Sequence, residues 1–217
     1  RYHSATMAKR RQREASRDLA DRLIAAALAE ADKAGWNALR LGRIAEREGV
    51  TLAEIHVMFA SVDALADAWL DRAERRMVAL APALAELATK ERIARAIFGW
   101  LDELAPHRAV ARQVLVGKLY PGHPHLVAGA VIRLSRTVQL LREVAGLHTP
   151  PPHRQIEEII LTNLFVATIL RWARDRSEGQ DDTRRWLRRR LDALDGIAGY
   201  LPRILRQKPR SEPGTSR

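Results

Sequence analysis

Between its breakers the chain repeats apolar residues at spacings of three and four along almost its whole length, and no run of β-branched alternation is long enough to compete. That period commits the backbone to helices, because side chains three and four apart share a helix face whereas strand neighbours alternate. The expected fold class is therefore all-α, with about nine helices. The first helix is expected from about Ser16 to Lys33, with Leu19, Leu23, Ile24, Ala27 and Leu28 on one face and Gly35 as its stop.

After Gly35 the pattern compresses. Two short pieces, Leu41 to Glu48 and Thr51 to Phe59, are separated by Gly49-Val50. A glycine between two helices of about two turns lets the chain take a positive φ and reverse. Thr51 followed by Glu54 is a capping box that starts the second piece at a defined residue, and Ser61 is the expected cap of a fourth helix running toward Leu80. Beyond Pro82 longer helices are expected at about 89–104, 107–118, 124–146, 153–176 and 181–206, separated by Ala105-Pro106, Tyr120 to Pro124, Thr149 to Pro152 and the polar turn Ser177 to Gln180. The expected division is a three-helix helix-turn-helix domain at 14–80 and a larger helical bundle at 81–206, with flexible tails at 1–13 and 207–217. Met7-Ala8-Lys9-Arg10 reads as a natural start, with residues 1–6 an upstream extension.

With 217 residues, 47% of them apolar, the chain is long enough for a real core. Its lack of cysteine removes disulfides, thiolate metal sites and cysteine nucleophiles and fits a reducing compartment, so the expected location is cytoplasmic. The first residues read as neither a signal peptide nor an anchor, and no apolar run is long enough to span a bilayer. The net charge of +11 points to an anionic partner, and its distribution is uneven. Residues 1–19 carry six Lys/Arg against two Asp/Glu, residues 171–217 thirteen against seven, and residues 20–78 eight against ten.

Two short helices bent by a glycine and stacked on a first helix leave the second one free to enter a major groove. The run Leu23 to Leu28, Gly35-Trp36, Leu41, Ile44-Ala45, Gly49-Val50-Thr51, Ile55, Phe59, Ser61 and Ala64-Leu65 resembles the N-terminal domain of the tetracycline-repressor (TetR) family over about 50 residues. The resemblance implies a DNA-binding transcriptional regulator, a repressor controlled by a small apolar ligand, with double-stranded DNA as partner. The candidate DNA contacts are Arg40, Arg43, Arg47, Thr51, Leu52, Glu54 and His56. His56 serves equally as a base reader or as a half-exposed structural residue, and Thr51 as a cap or a phosphate contact. The chain departs from the family pattern where DNA is touched: His56 and Met58 stand where a tyrosine and a histidine are usual, and Val62 where a lysine is common. The recognition helix holds no Lys or Arg, so phosphate-neutralising charge has to come from Arg40, Arg43 and Arg47 or from the arm Lys9-Arg10-Arg11-Arg13. In the bland alternative that arm is a solvated tail.

The stretches Asp102 to Arg108, Thr168 to Glu178 and Thr183 to Leu187 resemble instead a lipid-binding family with a TetR-like fold that assists ubiquinone biosynthesis, and imply a lipid-carrying accessory protein as the alternative function. Met77, Phe98, Trp100, Leu101, Leu115, Leu119 and Tyr120 lie where TetR-type folds place the effector cavity, and serve equally as plain core. Helix 153–176 is apolar on more than one face and must be covered by its own domain and by something else. With the last helix it is expected to form a homodimeric four-helix bundle through Ile160, Leu164, Trp172, Trp186, Leu187, Leu191 and Leu194. Arg184 to Arg190 ahead of Ile197 to Pro202 offer a weaker membrane-surface alternative. His123 with His125 and His148 with His153 flank prolines without a further ligand at helical spacing, so neither a metal nor a cofactor is expected. Asp102-Glu103 and Glu157-Glu158 are adjacent and read as solvated charges. No phosphate-cradling loop or nucleophile elbow is present, and the chain is not expected to be an enzyme.

Overall fold

The computed structural model describes residues 2–118, 124–151 and 153–197. Among these, the helices are α1 (Tyr2–Ala34), α2 (Leu41–Glu48), α3 (Leu52–Met58), α4 (Val62–Ala79), a one-turn α5 (Ala81–Leu84), α6 (Thr89–Leu104), α7 (Arg108–Lys118), α8 (Pro124–Ala145), α9 (His153–Trp172) and α10 (Asp181–Ile197), and there is no strand. The all-α class holds, with nine helices of about two turns or more beside the single turn of α5. Leu119, Tyr120, His123 and the segment from 198 onward lie outside the described residues. No helix among the described residues is long and apolar enough to cross a membrane.

The described residues form two compact units, one within 1–71 and 107–117, the other within 72–106 and 118–197. In the first, α1 buries Leu23, Ile24, Ala27 and Leu28, and α2 buries Ile44 and Ala45. Gly35 stops α1 at φ 85°, and the N–H of Trp36 donates to Gln113 Oε1 at 2.8 Å. His107 Nδ1 stands 2.6 Å from Asp32 Oδ2, and its ring meets Trp69 edge-on at 6.2 Å. Those contacts place α7 with the first unit although it follows residue 81 in the chain. α1 begins well before Ser16: residues 2–15 carry no apolar stripe, but arginine, lysine, glutamine, glutamate and alanine are good helix formers and simply extend the packed segment.

In the second unit α6 is buried on nearly every side, through Ile93, Ile97, Phe98, Trp100, Leu101 and Leu104, and packs against α8 and α10. α9 lies against α8 and α10. Two carboxylates are sunk between helices. Glu74 accepts from Arg136 at 2.8 Å and from the Thr137 hydroxyl at 2.7 Å. Glu157, 1% exposed, accepts from Arg142 Nε at 2.5 Å and from the Thr149 hydroxyl at 2.6 Å. The expectation that Glu157-Glu158 is a solvated pair is thus corrected: both carboxylates reach the Arg142 guanidinium, Glu157 buried and Glu158 at the rim. Asp102 and Glu103 are likewise tied, to Arg184 at 3.0 Å and to Arg72 at 2.6 Å. α9 ends at Trp172 rather than 176, because Asp175 draws the chain out of the helix by accepting the backbone and hydroxyl groups of Ser177 and Thr183. Burial pushes the Asp175 carboxyl up, but these four hydrogen bonds outweigh it and hold the group well below the usual carboxylate range.

Candidate nucleic-acid interface

The turn between α2 and α3 is set by two local devices. Gly49 caps α2 in the left-handed region at φ 69°, ψ 28°, where its N–H reaches back to the carbonyls of Ala45 and Glu46. Thr51 then starts α3: its hydroxyl accepts the Glu54 N–H at 3.2 Å, while Glu54 Oε2 accepts the Thr51 N–H at 2.7 Å. This is the reciprocal capping box that the Thr-x-x-Glu spacing predicts.

α3 is held to the body by Ile55, which is wholly buried, and by Phe59 at its C-terminal end. Burying an isoleucine is worth on the order of 2 kcal/mol, enough to seat a helix of two turns whose ends are capped. Every other side chain of α3 except half-buried Met58 is exposed, Leu52 at 58% and Val57 at 88%. The helix therefore stands on the surface with Thr51, Leu52, Ala53, Glu54, His56 and Val57 outward. The sequence does not mark Val57 as outward-facing, because apolar residues stand at five of the seven positions of α3 and leave no period to show which of them faces solvent. An exposed Val or Leu there suits contact with a thymine methyl, and His56 can bond a base edge or a phosphate.

The flanking cations are also exposed. Arg43 lies 3.8 Å from Glu30 of α1, with its guanidinium still mostly in solvent. Arg47 is exposed in the last turn of α2. Arg40 is turned back, Nη1 donating to the carbonyl of Leu39 at 2.8 Å. The candidate contacts thus share the α2–turn–α3 region, with Arg40 the one committed to the backbone.

The other candidate residues fall elsewhere. Met77, Phe98, Trp100 and Leu101 are buried in the second unit, Leu115 is half-buried on α7 in the first unit, and Leu119 and Tyr120 lie outside the described residues. Trp100 Nε1 is buried without a hydrogen-bond partner among the described residues, beside Phe165 at 5.2 Å. Leu164, Trp172, Leu187 and Leu191 are covered within the chain itself, and Ile160, Trp186 and Leu194 are half-buried. The exposed apolar side chains of this region are instead Val131 and Ile132 of α8 and Ile156, Ile159 and Leu170 of α9. Among the described residues no cluster of three or more His, Asp or Glu is placed to hold a metal ion.

The COQ9 family model matches residues 158–198, which covers most of α9 and all of α10. No curated protein matches the chain. A crystal structure assigned to the TetR family, from Rhodococcus sp., is 18% identical over 82% of this chain and 97% of its own, with a TM-score of 0.54, and shares the fold. The crystal structure of the TetR transcriptional regulator from Nitrosomonas europaea ATCC 19718 is 39% identical over 82% of this chain and 99% of its own, with a TM-score of 0.74. Identity of that degree, along nearly the full length of a solved regulator, places this chain in the TetR family of transcriptional regulators.

Proposed function

We propose that the protein is a homodimeric repressor that binds operator DNA through α3 and releases it when an apolar small molecule enters the second unit. The observation that carries the DNA role is the exposure of α3, anchored by Ile55 and Phe59 and, half-buried Met58 apart, free on its remaining surface. Arg43 and Arg47 supply phosphate contacts beside it, Thr51 meets a phosphate through its cap hydroxyl, and Leu52, His56 and Val57 face the bases. For the ligand, the support is the buried indole N–H of Trp100, which has no hydrogen-bond partner among the described residues and stands in the apolar core with Met77, Phe98 and Leu101, where it can orient a molecule carrying one acceptor atom. Ligand and operator would then affect one another's affinity reciprocally. The dimer is built on the exposed stripe of α9, Ile156, Ile159 and Leu170, flanked by Ile160 and Trp186, and sets two recognition helices about one DNA turn apart, roughly 34–36 Å. The test is binding of a labelled duplex from the DNA around the protein's own gene across a salt series. Salt-sensitive binding that weakens in Arg43→Ala or Arg47→Ala supports the role; binding of no duplex at low salt rejects it.

The COQ9 match over α9 and α10 favours a second reading, a lipid-carrying accessory protein of quinone metabolism. Solvent extraction and mass spectrometry of the purified protein separate the two. A stoichiometric isoprenoid with no duplex binding supports the second, and absence of any co-purified lipid counts against it.

A further inference from the structure

α1 does not stop where its packing does. Leu23 is its first fully covered residue, Leu19 and Ala20 are half-buried, and from Ser16 back to Lys9 every side chain is exposed. On this unpacked length Lys9, Arg13 and Arg17 recur every fourth residue, with Gln12 and Ser16 on the same face. Arg10 and Arg11 stand to the side, Arg10 held by Glu14 at 2.8 Å. The stretch carries five cations against two carboxylates, Glu14 and Asp18. A helix length that buries nothing contributes no core stability, and a row of like charges at four-residue spacing works against it in isolation.

Two ion pairs fix where this row points. Arg22 of α1 lies 3.6 Å from Glu48 at the C-terminal end of α2, and Glu30 of α1 lies 3.8 Å from Arg43 nearer its N-terminal end. α1 and α2 therefore run antiparallel, and residues before Arg22 continue past the end of α2 that leads through Gly49, Val50 and Thr51 into α3. At 1.5 Å per residue, Arg17 to Lys9 lie about 8 to 20 Å beyond Arg22. The N-terminal end of a recognition helix is the end that contacts base edges. The basic row thus projects from the end of the head that carries the start of α3, a helix with no Lys or Arg of its own.

From this we infer that the N-terminal extension of α1 is a second DNA-binding element, a helical phosphate clamp in which Lys9, Arg13 and Arg17 neutralise the backbone of the duplex that α3 reads. The inference rests on the duplex-binding role proposed above and adds a second source of phosphate-neutralising charge to Arg43 and Arg47. Three point charges spread over about 12 Å face a duplex that carries one phosphate charge per roughly 1.7 Å of axis, so each can find its own phosphate. The clamp contributes affinity without sequence preference, and leaves base reading to α3.

The experiment compares the full chain with Lys9→Gln/Arg13→Gln/Arg17→Gln by fluorescence anisotropy on a mixed-sequence 30-base-pair duplex and on the duplex from around its own gene, over a salt series. Glutamine keeps helix propensity, and circular dichroism checks that helicity is retained. Loss of three phosphate contacts should lower the slope of log affinity against log salt by about 2 to 3 and weaken low-salt binding at least about ten-fold on both duplexes. A control that removes the same charge elsewhere, Arg75→Gln/Arg188→Gln/Arg189→Gln, should keep the wild-type slope. An unchanged slope in the clamp variant, while Arg43→Ala still weakens binding, overturns the clamp and leaves the DNA role standing. Equal slope losses in clamp variant and control also overturn it, because net charge alone then explains binding. A wild-type protein that binds neither duplex overturns both.

Discussion

In the first unit α3 meets the body through Ile55 and Phe59 and is otherwise fixed by the left-handed turn at Gly49 and the Thr51–Glu54 cap. In the second unit α8 and α9 are joined by Arg142 and Glu157, both inside, with Thr149 satisfying the other carboxylate oxygen. The two solutions suit different tasks. A helix that must lie in a groove has to keep most of its surface free, so its orientation comes from backbone devices at its ends. A helix that joins a packed bundle can be registered by paired charge, at the risk that losing one partner strands the other.

The largest effect expected follows from that risk. Glu157→Ala leaves the Arg142 guanidinium, 5% exposed, with the longer contact to Glu158 at 3.2 Å as its carboxylate partner among the described residues. Breaking a buried pair in this way costs about 3–5 kcal/mol. Chemical denaturation followed by tryptophan fluorescence should show this as a lowered midpoint. The double replacement Arg142→Met/Glu157→Leu should recover most of the loss, because apolar groups of similar volume need no partner. A double variant as unstable as the single one would mean that packing, not stranded charge, sets the cost.

A smaller effect is expected at the turn. A Cβ on Gly49 would meet nothing within 4 Å, so replacement carries no steric penalty from neighbours and the backbone conformation decides. Gly49→Val should cost about 1–2 kcal/mol for the left-handed conformation. Gly49→Asn should cost visibly less, since asparagine visits that region. Hydrogen exchange at the α3 amides measures it locally, and the second unit should keep wild-type protection. Equal losses for Val and Asn would show that the turn does not depend on φ > 0.

What a reader of the bare chain can recover follows the same division. The cap at Thr51 and the reversal at Gly49 are encoded by residues within three or four positions of each other, and both are found where the spacing puts them. The placement of α7 in the first unit depends on Gln113 and His107 reaching Trp36 and Asp32, separations of 77 and 75 residues for which no local pattern exists. The same limit applies to α9 and α10. Their apolar positions are visible as periodicity, but which of them α6 and α8 cover is a property of the assembled bundle, so Leu164, Trp172, Leu187 and Leu191 read like interface residues and prove to be core. Glu157 was hidden for the reason that makes it informative: a carboxylate is assumed solvated until an arginine from another helix is found beside it.

The mildest effect expected is on the cap that α3 depends on, and pH reaches it selectively. The Thr51 backbone N–H and hydroxyl both bond the Glu54 carboxylate, at 2.7 and 2.8 Å, and hold its pKa below the ordinary 4.5. A carboxyl whose pKa is lower in the folded state contributes stability that is whole above its unfolded value and is lost as pH falls through the folded one. Glu54 is fully exposed, so the contribution is small and salt-screened. It should still be visible as faster hydrogen exchange at α3 amides, after correction for intrinsic rates, on acidification below 4.5. Glu54→Gln keeps one acceptor for the Thr51 N–H but has no charge to lose, so its α3 protection should start lower and change less over the same range. If both proteins lose protection in parallel, the acid sensitivity of α3 belongs to some other group, and the cap acts through geometry alone.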